Sequence, residues 1–452
     1  MAATAKNPLH GAGAIHLLAA MLVMVLGIWC NSGTLAPYAA TLHEPEVLPE
    51  CSYLVNSDDV HFKATFDMLR GAPSDQWNFS VVLRRILYPV LAFPFMKAFG
   101  FWRGGFYCNI LMQVLVLAAW AGFLQKNLGD PASRAGTWLT ATYPGIMYFA
   151  GLPYSYAMIV PLCLLSTMLL YNLHHRLSLS RAALAGLAIG IFQTGYDVLH
   201  FYGVALIFII LLDKNTVFFP SKLIQLLVAG AALILPTTIV NFILYKYFHI
   251  PVVNGNTGIY LQFFNLASYL HHDWHDWALH LYNAAATTVI VFFTSSFLAL
   301  PVGSLLTVLV FKTKKVAVNL PIAGYLLSPF FLLAVFMNLP FFAENSASFG
   351  FQGTIMARNY QPLFPLFLLI LCRAANMLEG GSRRFARAVF GAVLLFQCLV
   401  VFGPILRQPQ VADLVYFHFN KHSAAPSLAV NLEKYGFRPL GYCLPRSEKQ
   451  AY

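Results

Sequence analysis

The residues best suited to chemistry lie between Asn56 and Ala92, in the stretch NSDDVHFKATFDMLRGAPSDQWNFSVVLRRILYPVLA. It holds the adjacent carboxylates Asp58 and Asp59, then Lys63, Asp67, Arg70, Asp75 and the pair Arg84 and Arg85. In a chain with only 10% charged residues, this is a dense polar island. A carboxylate held beside a second one, close to lipid, keeps its proton to higher pH than a solvated acid and can serve as a general base near neutrality. Arginines beside it can hold a phosphate or another departing anion. Proton abstraction coupled to anion stabilisation is therefore the chemistry on offer, and the island is read as an active site. The same two acids also suit a helix N-cap for Val60 to Arg70, a purely structural use.

The island ends in Ile86, Leu87, Tyr88, Pro89, Val90 and Leu91, so its charges sit at a membrane edge. Composition points the same way, with 59% hydrophobic residues, 15% aromatic residues and a mean hydropathy of +0.66. Apolar runs of roughly 15 to 25 residues recur along the chain, the length a helix needs to cross a bilayer core. Backbone groups in lipid must be satisfied internally, and the runs lack the alternation of barrel strands, so they are read as helices. The expected fold class is all-α, a polytopic transmembrane helical bundle with about 11–12 apolar segments.

The net charge of +11 reflects basic residues gathered in short loops, as the positive-inside rule expects, and nothing resembles a nucleic-acid-binding face. The run Ala14 to Cys30 follows the polar, Lys6-bearing start and is read as an uncleaved first span with its N-terminus inside. The acidic loop after it, residues 31–85, then lies outside with the island and is expected to carry short interfacial helices. Inner loops are marked by His174 to Arg181, Asp213 to Lys222, Lys312 to Lys315, and Arg373 to Arg387. This puts Tyr154, Asp197, the loop 246–284 and the segment 339–358 on the outer side. Three apolar runs, 86–101, 104–124 and 136–151, lie between the island and Tyr154, although an even number of crossings is required. The first, broken by Pro89 and Pro94, is expected to be a half-inserted or interfacial helix that keeps Arg84 and Arg85 at headgroup level. Residues 1–406 form one membrane module, and 407–452 form a short outer tail that packs against the outer loops.

Four stretches together resemble the GT-C class of membrane glycosyltransferases. The first is the outer loop, where D-V-H-F at Asp59 is followed by R-R-I-L-Y-P-V-L-A at Arg84. The second is Y-P-G-I-M-Y-F-A-G-L-P-Y-S-Y-A-M, from Tyr143 to Met158, with Tyr156 where relatives carry an acid. The third is A-G-L-A-I-G-I-F-Q-T-G-Y-D, from Ala185 to Asp197, with Gln193 and Thr194 where an arginine is usual. The fourth is A-R-N-Y-Q-P-L-F-P-L, from Ala357 to Leu366. The resemblance covers about the first 200 residues and this last short stretch.

That resemblance implies sugar transfer from a polyprenyl-phosphate donor, with inversion at the anomeric carbon by direct displacement. Asp59 would take the acceptor proton, with Asp58 its neighbour or a metal ligand. Arg358, with Arg84 or Arg85, would hold the phosphate leaving group. An arginine at the start of an apolar helix is costly unless paired or snorkelling, which makes Arg358 a functional candidate by default. His61, Tyr154, Tyr360 and Trp274 are the expected substrate contacts. The acceptor is a lipid, glycan or protein, the lipid tail lies in a groove between spans, and no nucleic acid is involved. The implied location is a bacterial inner membrane with the site facing the periplasm.

A second cluster, H-H-D-W-H-D-W-A-L-H from His271 to His280, puts His271 and His275 on one helical face and His272, Asp276 and His280 on another. Either set suits a divalent cation such as magnesium or manganese, while the same residues with Trp274 and Trp277 also suit a plain interfacial helix. No cofactor is required by the residues. The seven cysteines show no CxxC spacing, and only Cys51 with Cys443 could face an oxidising side together. Two other classes stay open: a transporter or flippase of a lipid-linked or small polar substrate, and a catalytically silent scaffold of the same fold. The near absence of midplane charges, Asp197 being borderline, disfavours the transporter.

Overall fold

The computed structural model describes residues 12–32, 65–71, 85–151, 155–196, 199–213, 219–249, 299–313, 361–377 and 380–403. Among them the secondary structure is helical, with no strand. The helices are α1 (Ala12–Ser32), α2 (Leu87–Phe99), α3 (Phe101–Leu128), α4 (Asp130–Ala141), α5 (Pro144–Phe149), α6 (Ile159–His175), α7 (Leu179–Gln193), α8 (His200–Leu211), α9 (Phe219–Phe248), α10 (Ala299–Thr313), α11 (Phe364–Met377) and α12 (Gly380–Phe402). A turn of 3₁₀ helix, Ser155–Met158, leads into α6.

Five stretches are long and apolar enough to cross a bilayer: Gly13–Cys30, Arg103–Leu128, Ser155–His175, Pro220–Phe248 and Arg384–Phe402. Their outward faces are apolar. Ile15, Leu18, Leu22, Leu26 and Trp29 form an exposed stripe on α1, and Leu223, Leu227, Ile234 and Phe242 are exposed along α9. Apolar surface of this extent is untenable in water and expected in lipid, so the architecture is that of a helical membrane bundle.

The remaining helices are shorter, and local chemistry accounts for their ends. Helix α2 has 13 residues, about 20 Å, well under the roughly 30 Å of a hydrocarbon core. It folds back on α3 through Gly100, whose φ of 82° is open to glycine without strain. The hairpin is tight enough that a Cβ on Gly104 would overlap the backbone of Met96. The run 136–151, read from sequence as one span, is broken instead. Pro144 disfavours helical geometry at Tyr143, so α4 stops at Ala141 and α5 restarts with Pro144 in its first turn. Helices α1 and α12 each pack along both α4 and α5, so the two pieces share one line through the bundle. Among the runs 86–101, 104–124 and 136–151, the one long and apolar enough to cross by itself is that of α3.

Among the described residues Arg70, Arg85, Lys97, Arg103 and Lys246 lie at one end of the bundle, and a larger group of cations marks the other, the basic end. A cavity there joins Lys126 of α3, His175 of α6 and Arg181 of α7. The starts of α1 and α4 meet the end of α3 beside it. Helices α7 and α9 run side by side in the same direction, because Gly186 approaches the Ala229 carbonyl and Gly190 that of Leu233. This close contact of small residues four apart is the packing that substitutes for hydrophobic drive inside lipid.

Candidate functional site

At the opposite end, the described parts of all four stretches singled out above converge. The backbone N–H of Leu87 donates to the Thr194 carbonyl at 3.2 Å, seating the start of α2 on the end of α7. That contact brings the preceding residue pair over the turn after α7. Arg85 is buried, 8% exposed, with its guanidinium carbon 4.3 Å from the ring centroid of Tyr196. Tyr196 meets Tyr156 edge-on at 5.6 Å, and Tyr156 meets Phe149 edge-on at 6.0 Å. An aromatic ladder therefore runs from the outer-loop arginine through the third stretch into the second.

The fourth stretch joins through Tyr143. Its hydroxyl donates to Gln361 Oε1 at 2.7 Å, and its ring stacks on Phe364 at 3.8 Å. Tyr202 of α8 donates to the Pro362 carbonyl at 3.2 Å, fixing the same segment from the other side. Helix α3 holds the second stretch in place with two buried side-chain amides. Asn109 donates to the Ala150 carbonyl at 3.0 Å, and Gln113 to that of Ala157 at 2.8 Å. Each satisfies backbone carbonyls that the interrupted helices leave open.

Part of the polar island docks on this end. Residues 65–69 are helical and terminate at Gly71, whose φ is +81°. Phe66 packs between Phe93 and Phe101, at ring centroid distances of 5.8 and 5.9 Å, with Arg70 over its other face. Met68 and Leu244 pack together, with Leu69 and Ile86 against them. Residues 65–69 are thus docked beside Ile86, the neighbour of Arg85.

The site is recessed. Helix α7 has 15 residues, about 22 Å, whereas α3 has 28, about 42 Å. Asn109 lies eight residues into α3, about 12 Å below its start, so Ala150, whose carbonyl it holds, lies at that level of the bundle. Arg85 is buried within the bundle, with the ring of Tyr196 against its guanidinium. Ser155, fully buried beside this ladder, has no hydrogen-bond partner for its hydroxyl among the described residues.

Of the candidate residues, Arg85 is thereby placed. Asp58, Asp59, His61, Arg84, Tyr154, Trp274, Arg358 and Tyr360 lie outside the described residues, as do Asp197, the His271–His280 cluster, Cys51, Cys443 and the tail. Among the described residues, no group of three or more His, Cys, Asp or Glu is arranged to hold a metal ion. The sequence reading missed Tyr196 as the partner of Arg85. The available signal was its position next to Asp197, just past the end of an apolar run. Compared with protein-family models, with curated proteins and with solved structures, the chain matches none.

Proposed function

We propose that the chain is a GT-C-like membrane glycosyltransferase that moves a sugar from a polyprenyl-phosphate donor to an acceptor on the side opposite the basic end. The observation that carries this reading is the burial of Arg85 over Tyr196 where the four stretches meet. A guanidinium buried against an aromatic face is worth most when an anion develops beside it. A departing lipid phosphate is that anion. Its tail would run between spans while the sugar meets the acceptor above.

In this reading Asp59 accepts the acceptor hydroxyl proton as the new glycosidic bond forms. The bond from the anomeric carbon to phosphate oxygen breaks, and Arg85, with Arg84 or Arg358, takes up the charge. Asp59 precedes Thr65 by six residues, a tether of at most about 20 Å to the docked helix beside Ile86. His61, Tyr154, Tyr360 and Trp274 would contact the sugar or acceptor, and a divalent cation could assist at Asp58. The basic end would face the cytoplasm of a bacterial inner membrane, with the site toward the periplasm.

The test is sugar transfer in proteoliposomes from a panel of radiolabelled polyprenyl-phosphate sugars, comparing wild type, Asp59→Asn and Arg85→Gln. Transfer by wild type, lost in folded Asp59→Asn and strongly reduced in Arg85→Gln, is the expected result. Consumption of no donor by wild type, or equal transfer by all three, would sink the proposal.

A further inference from the structure

The basic end carries a second feature, unrelated to sugar transfer. Between the end of α3, the end of α6 and the start of α7 lies a cavity of about 680 Å³. Its mouth is ringed by Lys126, His175, Arg176 and Arg181, all exposed, and none of the described residues lining it is acidic. Arg181 Nη1 donates to the Arg176 carbonyl at 3.1 Å, which lays that guanidinium across the mouth. The Tyr171 ring meets His175 edge-on at 4.8 Å and holds it at the rim.

Arg181 also stands in the first turn of α7, where the helix presents positive charge and no acid balances it. A cation there is electrostatically misplaced until an anion joins it. The inner wall is different in kind. Leu169 lies seven residues before Arg176 on α6, about 10 Å toward the bilayer interior, and Leu184, 64% exposed, lies three residues into α7 from Arg181. Cations at the mouth and an apolar wall running into the membrane match one amphiphile: a phosphate head with acyl chains.

We propose that this cavity binds one anionic phospholipid from the leaflet at the basic end. Loop cations that serve only to orient the chain need no cavity and no apolar wall beneath them. The phosphate is recognised by Arg176, Arg181 and Lys126, and an acyl chain lies against Leu169 and Leu184. Basic pockets between membrane helices take lipid heads in this manner.

The experiment uses the full chain in phosphatidylcholine nanodiscs, with phosphatidylglycerol titrated in and retained lipid counted by native mass spectrometry. Wild type should retain one phosphatidylglycerol, and Arg176→Gln/Arg181→Gln should weaken retention about tenfold or more. Leu184→Trp, at an exposed position that leaves the fold intact, should also weaken it while keeping every cation. Lys222→Gln, a basic-end cation outside the cavity, should leave it unchanged. Size-exclusion profiles show whether each variant is folded, and Leu184→Trp stands in should the double variant fail. Equal retention by wild type and Leu184→Trp, or an equal loss in Lys222→Gln, would overturn the proposal. So would inorganic phosphate displacing the lipid at matching concentration, which would assign the site to free phosphate.

Discussion

The guanidinium of Arg85 rests 4.3 Å above the ring of Tyr196, joining residues that are 111 positions apart in the chain. A desolvated cation on an aromatic face is stabilised by about 2 kcal/mol. The pair therefore helps to fix the buried arginine. It also welds the start of α2 to the turn after α7, alongside the Leu87 to Thr194 hydrogen bond.

Tyr196→Phe should preserve this arrangement, because the ring face survives the loss of the hydroxyl. Tyr196→Leu should not. Transfer activity is expected to stay within about threefold of wild type in the first variant and to fall at least tenfold in the second, the worth of one desolvated cation–π contact. Arg85→Lys, which keeps charge but loses the planar group, should fall between wild type and Arg85→Gln. If Tyr196→Phe and Tyr196→Leu behave alike, the ring face is not what positions the guanidinium.

The contact of α7 with α9 makes a sharper prediction about stability. A Cβ on Gly186 or Gly190 would run into the carbonyl oxygens of Ala229 and Leu233, backbone atoms that cannot rotate aside. Gly186→Leu should lower the detergent-solubilised melting temperature clearly, with a cost of about 1–3 kcal/mol for overpacking. Gly230, on α9, has nothing within 4 Å of such a Cβ. Gly230→Ala should therefore be neutral or stabilise by up to about 1 kcal/mol, since alanine suits a helix interior better. A ranking in the opposite order would refute the packing described.

What was legible in the sequence, and what was not, follows from the range of each signal. Helical class, the basic end and the short α2 are local properties, written in apolar run length, loop charge and Gly100, since α2 runs on through Pro89 and Pro94. The break at Thr142 and Tyr143 was also local, since Pro144 marks it, but the apolar residues on both sides masked it as one run. Long-range partners carry no local signal. Tyr143 with Gln361 and Thr142 with Gln397 are separated by 218 and 255 residues, and only folding brings them together. Arg85 was read as a phosphate ligand at headgroup level, and its contact with Tyr196 went unread for the same reason, because that ring lies in another stretch.

Tyr143 offers a clean measurement of how firmly the fourth stretch is held. Tyr143→Phe keeps the stack on Phe364 and removes the 2.7 Å hydrogen bond to Gln361. Combined with Gln361→Leu in a double-mutant cycle, the coupling energy should be about 1 kcal/mol. Additive effects would mean that the stack alone fixes the segment.

Crossing number between the outer loop and α6 can be checked directly, and it decides whether all four stretches belong on one side. If α2 is a short hairpin arm and α4 with α5 make one interrupted crossing, then Phe99 and Arg176 face opposite aqueous phases, while Val90 and Leu91, each 49% exposed, face lipid. Single cysteines at these positions, in a background without the native cysteines, should report this with a membrane-impermeant maleimide. Cysteine at Phe99 should react only from the side opposite the basic end, and cysteine at Arg176 only from the basic side. Cysteine at Val90 or Leu91 should react from neither, because the hydrocarbon core excludes the thiolate that the reagent needs. Labelling of Phe99 and Arg176 from the same side would mean that α4 with α5 do not complete a crossing. The second stretch would then lie on the side away from Arg85, and the four stretches could not form one site.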